Sequence, residues 1–123
     1  MKIGLGVMLA FGLATASPAT ATTADGFGVF WPAFQAAVAK DDAKALASMV
    51  ALGPNLGDDG ASFARFHAGE LGPKVRRCLA KAKPDRDVDP QGDVNYSALC
   101  GQVIYGFTKS AGAWKLTDLS PND

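Results

Sequence analysis

The sequence predicts an α+β domain in which helices come first and an antiparallel sheet follows. Apolar residues recur at helical spacing between Phe27 and Ala82, then at a period of two between Tyr96 and Leu119. Two stretches rich in Gly, Pro and Asp, 53–60 and 84–93, punctuate the chain between these patterns.

The chain opens on MKIGLGVMLAFGLATASPATA, residues 1–21. Lys2 supplies a positive start, Ile3 to Leu13 a short apolar run, and Ala19-Thr20-Ala21 the small residues of a cleavage site. These are the marks of a signal peptide that is removed. The run falls short of the roughly 20 apolar residues a membrane span needs, and no second one follows. The expected product is a single α+β domain over 22–123 in the periplasm or outside the cell, with no membrane span.

Within that domain, 22–29 read as a polar, glycine-rich lead-in. The first helix is expected to start between Val29 and Trp31, because Pro32 is tolerated in a first turn, and to run to Lys40 with Phe27, Phe30, Trp31, Phe34 and Val38 marking its apolar stripe. Asp41 is expected to cap a second helix over 42–52 carrying Leu46, Met49 and Val50. Ser62 is expected to cap a short helix with Phe63 and Phe66. Pro73 opens another, to about Ala82, with Val75, Cys78 and Leu79 inward and Lys74, Arg76, Arg77 and Lys81 outward. A loop over 84–93 leads into one strand over 96–108. A turn at 110–112 and a return strand over 113–119 complete a hairpin.

Cys78 and Cys100 are the two cysteines of the chain. In an exported protein two cysteines pair, and these lack the C-x-x-C spacing of a redox couple. A disulfide is expected between the inward face of the helix over 73–82 and the strand it covers. Closing the loop contributes about 3 kcal/mol in the chain-entropy model.

Composition excludes some partners. The domain without its leader carries 11 Lys and Arg against 12 Asp and Glu. Such a balance exerts no long-range pull on nucleic acid or anionic lipid. His67, the single histidine, suits proton transfer in principle, but Glu70 is the one carboxylate implied nearby, so a surface or packing role is preferred. Asp85, Asp87, Asp89 and Asp93 alternate like calcium ligands. Pro90 and Tyr96 stand where that loop needs a glycine and a bidentate glutamate, so a solvated acidic turn is preferred and no metal is assigned. Lys74, Arg76, Arg77, Lys81, Lys83 and Arg86 form a basic cluster that is either a solvent face or a contact for an envelope polyanion.

FWPAFQAAV, KDDAKALASMV, FARFHAGELGPKVRRCL and YSALCGQVIYGFTKSAGAWKLTDL together resemble small exported bacterial proteins of the nuclear-transport-factor-two-like, cystatin-like superfamily. The resemblance implies an aromatic first helix packed into a curved antiparallel sheet, a cystatin-like cone, closed by a hairpin ending in Gly112, Trp114, Lys115 and Leu116. Enzymes of that group use a carboxylate with Tyr or His donors in a pocket between helices and sheet. Tyr96, Tyr105, Asp118 and His67 are the matching types here, at no family spacing, so no catalytic residue is carried over. The expectation is a domain that binds a small molecule or an envelope partner without a cofactor and with a homodimer possible. The alternative is a small isomerase or dehydratase.

Overall fold

The computed structural model describes residues 25–52 and 60–122. The expected signal peptide lies outside these residues, as does most of the expected loop over 53–60. Helix α1, Phe27–Lys40, starts earlier than Pro32 suggests. Gly26 turns the chain at φ 83° and Asp25 accepts the Phe27 N–H on its carboxylate at 3.0 Å, which satisfies one of the donors a helix start leaves open. Pro32 therefore sits inside the helix rather than in its first turn. It is exposed, and the turn it weakens is held from the opposite side by buried Phe27, Trp31 and Phe34.

The α1 stop also differs from expectation. Asp41 does not cap the second helix. It closes α1 in the left-handed region at φ 53°, and Asp42 caps helix α2, Ala43–Ala47, by accepting the Ala45 N–H at 3.1 Å. The helix expected over 42–52 ends this early because the chain then runs alongside the sheet. Val50 pairs in parallel with Leu116, and the Ala51 and Leu116 N–H groups donate to Leu116 and Met49 carbonyls at 2.8 Å each.

Helix α3, Gly60–Glu70, begins before Ser62 and buries Phe63 and Phe66. Helix α4, Pro73–Leu79, opens on Pro73 as expected but stops short of Ala82. The Gln35 side-chain amide of α1 donates to the carbonyls of Leu79, Ala80 and Ala82 at 3.1, 3.1 and 3.2 Å, so α1 captures the end of α4.

Four strands follow: β1 Asp85–Val88, β2 Val94–Cys100, β3 Val103–Ser110 and β4 Ala113–Pro121. They form one antiparallel sheet in sequence order. Two expectations are corrected here. The segment 84–93 is not all loop, since Asp85–Val88 pair with Val94–Ser97. The single strand over 96–108 is two strands joined by a tight turn at Gly101-Gln102, with Cys100 opposite Val103. Gly101 takes φ 67°, which a two-residue hairpin of this hand requires at its first central position. The turn resets the parity, so Ala98 and Cys100 share the helix-covered face with Tyr105 and Phe107.

That face, with Trp114 and Leu116 from β4, packs on α1 and α4 to form the core. The interior is filled by rings: Phe107 meets Phe27, Phe30, Trp31 and Phe34 edge-on at centroid distances of 5.2–6.1 Å. A bulge at Gly106/Phe107 lets β4 stay in contact. A Cβ on Gly106 would lie 3.2 Å from that of Asp118, so any larger residue there would press β3 and β4 apart by a few tenths of an ångström. At the far end Cys78 of α4 and Cys100 of β2 form a disulfide, with Cα atoms 5.9 Å apart. Among the described residues no helix is long and apolar enough to cross a membrane.

Candidate functional site

The chemistry-bearing side chains divide between two ends of the domain. At the end where α1 starts, Asp25 lies just before Phe27, whose ring stacks on Tyr96 with centroids 3.7 Å apart and planes 3° from parallel. That stacking brings the Tyr96 hydroxyl to the Asp25 carboxylate, to which it donates over 2.6 Å. The Trp114 indole N–H donates to the Asp25 carbonyl at 2.7 Å, and the Arg86 guanidinium of β1 stands 3.7 Å from the carboxylate.

Burial alone would raise the Asp25 pKa. The Tyr96 hydroxyl, the Phe27 N–H and the Arg86 charge together outweigh it and hold the carboxyl below its ordinary value. Tyr96 shifts the other way, raised by burial and by the bonded Asp25 anion. The pair is a stabilised carboxylate with a neutral donor.

Beside it opens a cleft of about 560 Å³, bounded by Asp25, Asn95, Thr108, Lys109, Trp114 and the turn between β1 and β2. The Lys109 ammonium stands 5.7 Å from the Trp114 ring centre, a cation–π contact. Asn95 and Thr108 continue into a shallower groove of about 230 Å³ on the uncovered sheet face, where Asp118 also stands.

The acidic run over 85–93 does not gather into a cation site. Asp89 spends its carboxylate on the Gln91 and Asp93 N–H groups at 3.0 and 2.9 Å, building the turn into β2. Among the described residues no group of three or more His, Cys, Asp or Glu is placed to hold a metal ion.

At the other end His67 is partly exposed. Its Nε2 lies 2.6 Å from Asp41, not Glu70, and Arg76 stands 3.7 Å from the same carboxylate oxygen. Asp41 reaches His67 because its left-handed turn projects it from the end of α1 toward α3. Tyr105 is fully buried and donates to the Glu70 carbonyl at 2.9 Å. Burial, with the Glu70 charge adding, pushes its hydroxyl up to about 12. His67, Tyr105 and Tyr96 therefore serve three separate places. The cleft brings in Asp25 and Lys109, which the sequence reading did not single out. An Asp two residues before an aromatic helical stripe is a start signal, and it would have pointed to Asp25.

Comparison of the chain with protein-family models, with curated proteins and with solved structures finds no match.

Proposed function

We propose that this chain is an exported domain of cystatin-like, nuclear-transport-factor-two-like build that binds a small polar molecule or envelope partner at the cleft beside Asp25 and Trp114, without catalysing a reaction. The observation that carries the reading is the contrast between the two spaces. The interior between α1 and the sheet is filled by Phe27, Phe30, Trp31, Phe34 and Phe107, whereas the open cleft of about 560 Å³ is bounded by Asn95, Thr108, Lys109 and Asp25. That volume lies in the range of small-molecule sites, and its polar groups offer both donors and acceptors.

Export is supported by the amino-terminal pattern over 1–21 and by the Cys78–Cys100 disulfide, a bond that persists in oxidising compartments. The resemblance to the superfamily is supported by the aromatic helix α1 packed on an antiparallel meander that ends in the Gly112–Leu116 strand.

An isomerase or dehydratase would need a base in an enclosed pocket. Three carboxylates line the cleft: the Tyr96 hydroxyl, the Phe27 N–H and the nearby Arg86 charge hold Asp25 as an anion, Asp89 is taken up by the Gln91 and Asp93 N–H groups, and Asp93 stands exposed to water on the turn, so none is a base in an enclosed pocket. Mass spectrometry of small molecules retained by protein purified from its native envelope tests the binding reading. A retained compound that is lost when Asn95→Leu and Lys109→Ala are combined is the expected result. An empty wild-type protein, or a compound turned over by it, refutes the reading.

A further inference from the structure

A second groove, of about 370 Å³, lies between the C-terminal end of α1 and α4. Val38 and Ala39 of α1 and Pro73 and Ala80 of the α4 segment bound it, and Arg76, Arg77 and Lys81 ring it. From Leu71 to Pro84 the chain carries five cationic side chains and no acidic one. In a chain of zero net charge this is a strong local excess.

Cations at a helix end ordinarily serve its open carbonyls. Here the Gln35 amide takes the carbonyls of Leu79, Ala80 and Ala82, and backbone N–H groups take those of Arg76 and Cys78, so Arg77 and Lys81 are not spent on these carbonyls. Arg77 and Lys81 are exposed, and no carboxylate among the described residues forms an ion pair with either. Arg76 is fixed rather than loose: its guanidinium donates to the Leu71 carbonyl at 2.8 Å. Asp41, 3.7 Å from Arg76, offsets part of one charge and leaves the other two.

We infer that the groove between α1 and α4 is an anion site for a phosphoryl group, held by Arg77 and Lys81 with Arg76 as a preset third cation. Two arginines and a lysine suit an oxyanion of more than one charge, because the guanidinium fork matches tetrahedral oxygens and the ammonium adds a point charge. The same chemistry reaches the groove either as free phosphate or on a lipid headgroup. The site is separate from the Asp25 cleft and does not depend on the function proposed for that cleft.

The test titrates the full chain with inorganic phosphate at ionic strength held constant with sodium chloride, followed by amide NMR. In parallel, the protein is sedimented with phosphatidylcholine vesicles with and without phosphatidylglycerol. Saturable shifts at Arg77, Ala80 and Lys81, weakened about tenfold or more in Arg77→Gln/Lys81→Gln, are expected for loss of charge-assisted bonds. Binding to phosphatidylglycerol vesicles alone, lost in the same variant, assigns the headgroup as the source. Lys83→Gln, outside the groove, leaves either binding in place. Shifts that chloride reproduces, binding unchanged in the double variant, or no response to either probe overturns the site. Both altered side chains are exposed, and an unchanged melting curve verifies the fold of the variant.

Discussion

The Tyr96 hydroxyl donates to the Asp25 carboxylate over 2.6 Å, joining residues 71 positions apart and fixing the start of α1 against β2. Tyr96→Phe keeps the ring stack on Phe27 and removes that one bond. It is expected to destabilise by about 1.5–3 kcal/mol, the range for a hydrogen bond to a charged group. The linkage has a definite sign. The Asp25 pKa is lowered in the folded state, so its contribution is fully present above the ordinary value of 3.8 and is lost as pH falls through the lowered value. Chemical denaturation of wild type and Tyr96→Phe at neutral pH and at pH about 2 is expected to show a gap that shrinks in acid. A gap independent of pH would mean that the bond does not stabilise the anion.

Trp31 is buried between Phe27, Phe34 and Phe107. Trp31→Ala is expected to cost about 3–5 kcal/mol, the usual range for truncating a buried aromatic. Urea unfolding measures it, and a loss below about 1 kcal/mol would place Trp31 at a surface instead.

Reduction of the Cys78–Cys100 disulfide releases a loop with a sequence separation of 22 and is expected to cost about 3 kcal/mol. Paired melting curves with and without reductant, checked against Cys78→Ser/Cys100→Ser, measure the loss. Coincident curves would show that the packing of α4 on β2 holds without the bridge.

The His67–Asp41 contact is short but partly open to water on both sides. His67→Ala is therefore expected to change stability by less than about 1 kcal/mol, as exposed ion pairs do. A larger loss in thermal unfolding would show that the contact locks α3 onto the end of α1.

How far the fold was legible depended on how local each signal is. The α+β order, the aromatic stripe of α1 and the disulfide partners all rest on spacing within one element or on compartment chemistry, and the structure keeps them. The strand β1 was hidden because Asp85, Arg86 and Asp87 are exposed edge residues with no apolar alternation, and its pairing with β2 is a tertiary fact. The β2–β3 turn was hidden because the run from Tyr96 to Phe107 stays apolar through Gly101, whose positive φ no periodicity reveals. The contacts of the candidate sites are long-range: Asp25 meets Tyr96, and Asp41 meets His67 26 positions away. A one-dimensional pattern carries neither. Asp42 capping α2 in place of Asp41 is a one-residue ambiguity between two adjacent carboxylates, settled by the left-handed turn at Asp41.

On the proposed function, the cleft beside Asp25 and Trp114 holds a ligand while the interior stays filled by aromatic rings. Native mass spectrometry of the protein taken directly from its envelope measures this most directly. The expected result is a mass above that of the unfolded chain, from a small molecule released on unfolding and missing from Asn95→Leu/Lys109→Ala. A wild-type protein of bare chain mass, or an adduct equally present in that variant, would contradict it.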